Sequence, residues 1–172
     1  MHPLAKLAKD AVETYVRQGR RIPIPAGFEN ELMQRKAGAF VSLHIGEELR
    51  GCIGTYLPTK DNIALEIISN AILAATDDPR FNHLAENDLA RLSYEVYILE
   101  KPQTVKSLDE LDPKKFGVIV FGKQSHRSAL LLPDLEGIET IEQQLACVTQ
   151  KAGINPAQEK LAIQKFRAQK FK

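Results

Sequence analysis

The sequence predicts an α+β fold, a mainly antiparallel sheet with flanking helices, on three observations. One stretch alternates apolar and polar residues up to a glycine-containing turn, and another sets two apolar runs about a polar turn, as β-hairpins do. Apolar residues recur at helical spacing in other stretches. The elements lack the regular strand–helix–strand alternation of a doubly wound parallel sheet. A chain of 172 residues is enough for one good core or two closely packed lobes, but not for two large domains.

The elements follow in order. Leu4, Leu7, Ala8, Ala11, Val12, Tyr15 and Val16 fall on one face of a helix that Gly19 ends. Residues 22–38, with two prolines and no strong period, read as a loop or arm on the surface. In "AFVSLHIG", Val41, Leu43 and Ile45 face one way and Phe40, Ser42 and His44 the other. With "EELRGCIGTYL" this makes an antiparallel hairpin turning near Gly46-Glu47. From Asp61, a stripe of Ile63, Ile67, Ile68, Ala71, Ile72 and Ala75 gives the clearest helix, with an Asp or Asn cap and Asp77-Asp78-Pro79 as terminator.

"ENDLARL" is a short helical segment, "SYEVYILE" (93–100) a strand, and "SLDELDPKKFG" a turn-rich connection. Residues 116–133 form a second hairpin around "GKQSHRS", and "TIEQQLACVTQKAG" a helix closed by Gly153 with Cys147 on its apolar, buried side. The tail "KLAIQKFRAQKF" suggests a last strand. Hairpin–helix–strand occurs around 39–100 and, more loosely, around 116–171, an order compatible with a distant duplication although few residues are shared. The chain reads as one domain, 1–172, with lobes at roughly 1–115 plus part of the tail and 116–160.

Composition excludes several functions. Lys and Arg total 23 against 22 Asp and Glu, so the near-zero net charge argues against nucleic acid or an anionic membrane as the main partner. The basic tail (Lys165, Arg167, Lys170, Lys172) reads as a solvated strand end. No apolar run approaches the roughly 20 residues that cross a bilayer, and the N-terminus has no signal-peptide core. Two cysteines make no disulfide framework, so reduced thiols and a cytoplasmic location are the expectation. No phosphate-binding loop and no zinc spacing appears, and neither metal nor cofactor is expected.

The chemistry concentrates in "LRGCIGTY" (49–56). Gly51 and Gly54 flank Cys52 and remove side-chain bulk, so that a ligand or a neighbouring backbone comes close. Arg50 favours a thiolate at Cys52 if its charge lies within reach. Two explanations stand: a reactive thiol, or a small cysteine in a glycine-bulged strand. A nucleophile needs a base, and of the four histidines His44 lies on the paired strand; His2 sits at a frayed end, His83 follows "DPRFN" and His126 is in a turn. "DDPRF" either ends the long helix and packs Phe81, or sets Arg80 as an anion clamp. Glu95 shares a face with Tyr97 and is a second candidate for proton handling.

"LRGCIGTY", preceded by "GAFVSL" and followed by "AATDDPRFNHL", "EVYILEKPQTVKSLDELDP", "GVIVF", "LLLP" and "KAGI", resembles the AMMECR domain family, whose bacterial and archaeal members are called AmmeMemoRadiSam system protein A. The resemblance runs in order over about residues 37–172. It implies two lobes around a cleft lined by the LRGCIG segment, and association with a Memo-like protein and a radical-SAM protein. The chain has no CxxxCxxC motif and is not itself the radical-SAM member. Together these readings nominate Cys52, His44 and Glu95 for catalysis, with Arg50, Gly51, Gly54, Thr55, Arg80 and Phe81 holding a small or anionic substrate. A non-catalytic module using the same residues to recognise a metabolite or a partner is the alternative. The pattern's glycine before "LLLP" is Ala129 here, which would make the second hairpin less open.

Overall fold

A computed structural model describes residues 1–26 and 34–172; the centre of the expected surface arm, 27–33, lies outside the described residues. In chain order the elements begin with α1 (Pro3–Gln18), β1 (Ala39–Ile45), β2 (Glu48–Thr55), α2 (Ile63–Thr76) and β3 (Leu92–Leu99). They continue with β4 (Gln103–Thr104), β5 (Gly117–Gly122), β6 (Ser128–Leu131), α3 (Ile141–Ala152), β7 (Leu161–Phe166) and β8 (Ala168–Phe171). "ENDLARL" is a 3₁₀ turn, Glu86–Arg91, rather than an α-helix. The fold is α+β with two antiparallel sheets and flanking helices.

The described residues form two compact units, 1–99 with 169–172, and 100–168. The boundary expected near 115 falls at 99/100, because β4 pairs with β7 and Leu111 belongs to the second core. The tail is two strands, not one. Residues Leu161–Phe166 pair with β5, and after Arg167 the chain joins the first sheet as β8. A single alternation over 161–171 hides this change of sheet.

In the first unit the sheet order is β2-β1-β3-β8. The β1–β2 hairpin turns at Gly46, whose φ of 61° is left-handed and suits glycine. His2 is not frayed: Nδ1 accepts the Leu4 N–H at 3.2 Å, its ring lies 4.5 Å from that of Phe171, and its N–H donates to Lys172 O. Pro3 opens α1, where its missing N–H costs nothing. Asn62 Oδ1 caps α2 through the Leu65 N–H at 2.9 Å. The apolar stripes of α1 and α2 close on Val41, Leu43, Tyr94, Val96 and Ile98 to make one core. The opposite face of this sheet carries Ser42, His44, Cys52 and Glu95.

In the second unit the order is β4-β7-β5-β6. Each unit therefore runs second hairpin strand, first hairpin strand, strand after the helix, then one added strand, so the hairpin–helix–strand order repeats as topology. Val118, Val120, Leu131, Val148 and Ile154 form this core. Ala129 pairs with Val120 and packs against the core, so its methyl fills an interior position. Cys147 also packs there, but half-buried rather than buried as expected. No helix among the described residues is long and apolar enough to cross a membrane.

Candidate functional site

β2 is an edge strand, so alternate main-chain groups along it have no strand to pair with. At Cys52 two side chains take that role. The Cys52 N–H donates to Asp78 Oδ2 at 2.9 Å, and the Cys52 carbonyl accepts from Arg80 Nη2 at 3.3 Å. Asp78 accepts three further bonds from Arg80: its N–H (3.1 Å), Nε (3.0 Å) and Nη2 (2.7 Å). The Asp78 side chain is 2% exposed. Arg80 holds its carboxyl down to about 2, against the upward push of burial and with help from the Cys52 N–H. "DDPRF" therefore does more than end α2: it binds the main chain of "LRGCIG" at the cysteine.

The glycines answer a different need. A Cβ on Gly51 would lie 2.0 Å from the carbonyl oxygen of Ala74, so the missing side chain lets α2 lie on the strand. A Cβ on Gly54 would meet the Phe40 ring at 2.2 Å and Ala39 O at 2.5 Å. Both spaces are taken by the protein's own atoms. Of the two explanations for these glycines, close approach of the chain itself is the one these contacts answer. Thr55 has a partner within the protein. Its hydroxyl donates to Glu66 Oε1 at 2.7 Å on the α2 side of the sheet. Glu66, 1% exposed, also accepts the Thr59 N–H, the Thr59 hydroxyl and the Lys60 N–H. Burial pushes the Glu66 carboxyl up, but these donors outweigh it and leave it below the usual range.

Across the sheet, Cys52 stands opposite Ser42, and Ser42 opposite Glu95. Ser42 Oγ donates to Cys52 Sγ at 3.1 Å. The serine already shared a predicted face with His44; what sequence reasoning missed is its register with the cysteine. His44 lies two residues along, with Nε2 3.9 Å from Glu95 Oε2. That nitrogen is buried and has no hydrogen-bond partner. Leu43 pairs with Gly51 and His44 with Leu49, so Arg50 is the extra residue of a β-bulge. Its guanidinium lies 5.8 Å from the Phe81 ring centroid, and that of Arg80 lies 5.3 Å from it. Phe81 thus gathers two cations beside Cys52.

Glu95 is poorly suited to be a base. It accepts from Tyr97 Oη at 2.9 Å and pairs with Lys170 at 2.9 Å and Lys172 at 2.7 Å. Burial raises its carboxyl, but the two lysines and the tyrosine outweigh it and bring it down to about 2. A carboxylate so deep in its ionised form has little appetite for a proton. Of the tail's basic side chains Arg167, Lys170 and Lys172 are exposed, as a solvated strand end would have them, but the lysines are also paired. Lys170 and Lys172 hold Glu95, while Lys165 pairs with Glu110 at 3.0 Å and lies with Arg167 over Phe116. Among the described residues, no three His, Cys, Asp or Glu side chains are gathered as metal ligands.

The structure thus brings Cys52, Arg80, Phe81, Arg50 and, through one face of the sheet, His44 and Glu95 into a single neighbourhood within the first unit. A family model described as AMMECR1 matches residues 5–171. The chain belongs to the AMMECR1 family. It is 48% identical to a Thermotoga maritima protein over 172 residues, covering 99% of this chain and 98% of that one. With a Clostridium acetobutylicum protein it shares 42% over 171 residues, but spans only 36% of that relative's length. Among solved structures, an uncharacterised protein from Pyrococcus horikoshii matches with a TM-score of 0.88 and 30% identity, over 97% of this chain and 88% of that one. The AMMECR1 match spans both units, so neither motif belongs to an appended segment.

Proposed function

We propose that this AMMECR1 protein is an intracellular enzyme of thiol chemistry, acting on a small anionic molecule at Cys52. The observation that carries this is the set of contacts on the cysteine: the Ser42 hydroxyl donates to Sγ at 3.1 Å while the main chain is clamped by Asp78 and Arg80. A hydrogen bond donated to sulfur favours the thiolate, the nucleophilic form. Arg80 is held above its usual range by Asp78 first, against burial, and its Nη2 lies 3.3 Å from the Cys52 carbonyl, which sets a fixed positive charge at the cysteine. Arg50 and Arg80 offer the substrate's anionic group two planar donors beside Phe81. His44, on the same face of the sheet and with no hydrogen-bond partner at Nε2, is the candidate acceptor for the thiol proton. A Memo-like protein and a radical-SAM protein are the working partners that the family resemblance proposes.

One observation favours the other reading, a non-catalytic module that recognises a metabolite or partner. The spaces beside Gly51 and Gly54 are filled by Ala74 and Phe40, so the motif serves architecture as well as any ligand. A screen of anionic metabolites by thermal shift and intact-protein mass spectrometry separates the two. The enzyme reading expects a ligand whose adduct or turnover needs the thiol, with Cys52→Ser keeping affinity and losing the chemistry. Ligands bound equally by both proteins, with no chemistry in either, assign the module.

A further inference from the structure

We infer a second, independent binding site in the unit 100–168: a basic trough along the outer edge of β7 that takes an extended acidic segment of a partner protein. β4 covers only Gln164 and Lys165 of β7, and the Val105 N–H bonds Ile163 O at 2.9 Å before the pairing stops. The chain then turns away, its Lys106 and Ser107 N–H groups donating to Glu110 Oε1 at 3.0 and 3.2 Å. The Lys123 N–H bonds Lys160 O, so Lys160 faces β5 and, by alternation, the main chain of Leu161 faces the uncovered side. An uncovered strand edge is a template for one more strand.

Two adjoining cavities of about 330 and 560 Å³ lie along this edge and share Lys123 and Leu161 in their walls. Val105, Leu161 and Ile163 supply apolar wall, and Leu108 at the lip is 48% exposed. Lys106, Lys123 and Lys160 also line the trough. Elsewhere in this unit Lys114, Lys115 and Lys165 pair with carboxylates, whereas these three have no acidic partner among the described residues. The one carboxylate in the walls, Glu159, is committed to the Gln124 and Ser125 N–H groups at 3.0 Å each. Alternate apolar and acidic side chains on an added strand match this pattern: one set reaches the apolar wall, the other the lysines.

The test uses the full chain and a fluorescent peptide of alternating valine and glutamate, with a valine–lysine peptide as control. Expected are saturable binding of the acidic peptide alone, amide shifts in NMR at Leu161 and Leu108, and about a tenfold loss of affinity in a Lys106→Glu/Lys123→Glu variant, as two rim charges reversed would give. Both substitutions are at exposed side chains and leave the fold and Cys52 alkylation unchanged. Equal binding of both peptides, shifts absent at Leu161, or unchanged affinity in the variant overturns the inference. Because Cys52 alkylation is read separately, failure here is distinguishable from failure of the thiol reading.

Discussion

The Asp78 carboxylate accepts the main-chain N–H of Cys52 at 2.9 Å across 26 residues of sequence. That bond joins the two most distinctive strings in the chain. Replacing Asp78 with Asn removes the charge that holds Arg80, leaving a guanidinium beside a neutral amide and a looser edge at Cys52. Expected are a loss of stability of about 2 kcal/mol, read by urea unfolding, and slower alkylation of Cys52. Unchanged alkylation would detach Asp78 from the thiol.

Acid should expose the same contact. The folded-state values of Asp78 and Glu95, about 2 each, lie below the ordinary 3.8 and 4.5. Groups depressed in the folded state contribute stability that is complete above the ordinary value and is lost as pH falls toward 2. Each contributes on the order of 2 kcal/mol. Tm should therefore be flat from neutrality to about pH 5 and drop steeply toward pH 2; the drop should shrink in Asp78→Asn. A Tm that falls already between pH 7 and 6 would point to histidine instead.

Gly51→Ala should be among the most damaging small substitutions in the first unit. The added methyl lands 2.0 Å from the Ala74 carbonyl, part of a helix backbone that has to move. A loss of about 3 kcal/mol is expected. Gly46→Ala is the contrast: φ is 61°, but nothing lies within 4 Å, so only the left-handed conformation costs, about 1 kcal/mol. Denaturant midpoints of the two variants decide it, and equal midpoints would refute the packing role of Gly51.

Glu95→Gln tests whether that carboxylate is a clasp or a base. As a clasp of β8, its loss frees Lys170 and Lys172, and amide hydrogen exchange should quicken at residues 168–171. Stability should fall by about 2 kcal/mol, the contribution that the depressed carboxyl makes at neutral pH. The pH dependence of Cys52 alkylation should not move, whereas a shifted profile would restore Glu95 as a proton acceptor.

Much of the fold was legible because burial imposes a period. The α1 and α2 stripes, the Gly46 hairpin and the Tyr94-Val96-Ile98 face all follow from alternation or helical spacing. The tail was not, because Leu161–Phe166 and Ala168–Phe171 alternate alike while belonging to different sheets. The site divides along the same line. Cys52, Arg80 and Phe81 stood out by residue type. The sequence could not tell that Gly51 answers to Ala74, that Thr55 answers to Glu66, or that Glu95 is spent on two lysines from the far end of the chain. Those are pairings across space, and a single sequence carries no signal of register between distant strands.

The first measurement is the pH profile of iodoacetamide alkylation at each cysteine of the native protein, read by mass spectrometry. Cys147, half-buried in the second unit, is the internal comparison. A thiol that accepts from Ser42, in a residue whose carbonyl Arg80 holds, should alkylate faster than Cys147, with an apparent pKa well below the free value of about 8.5. A Cys52 that stays unreactive until the protein unfolds would contradict the thiol chemistry proposed here and leave the LRGCIG segment as a docking point for α2 and DDPRF.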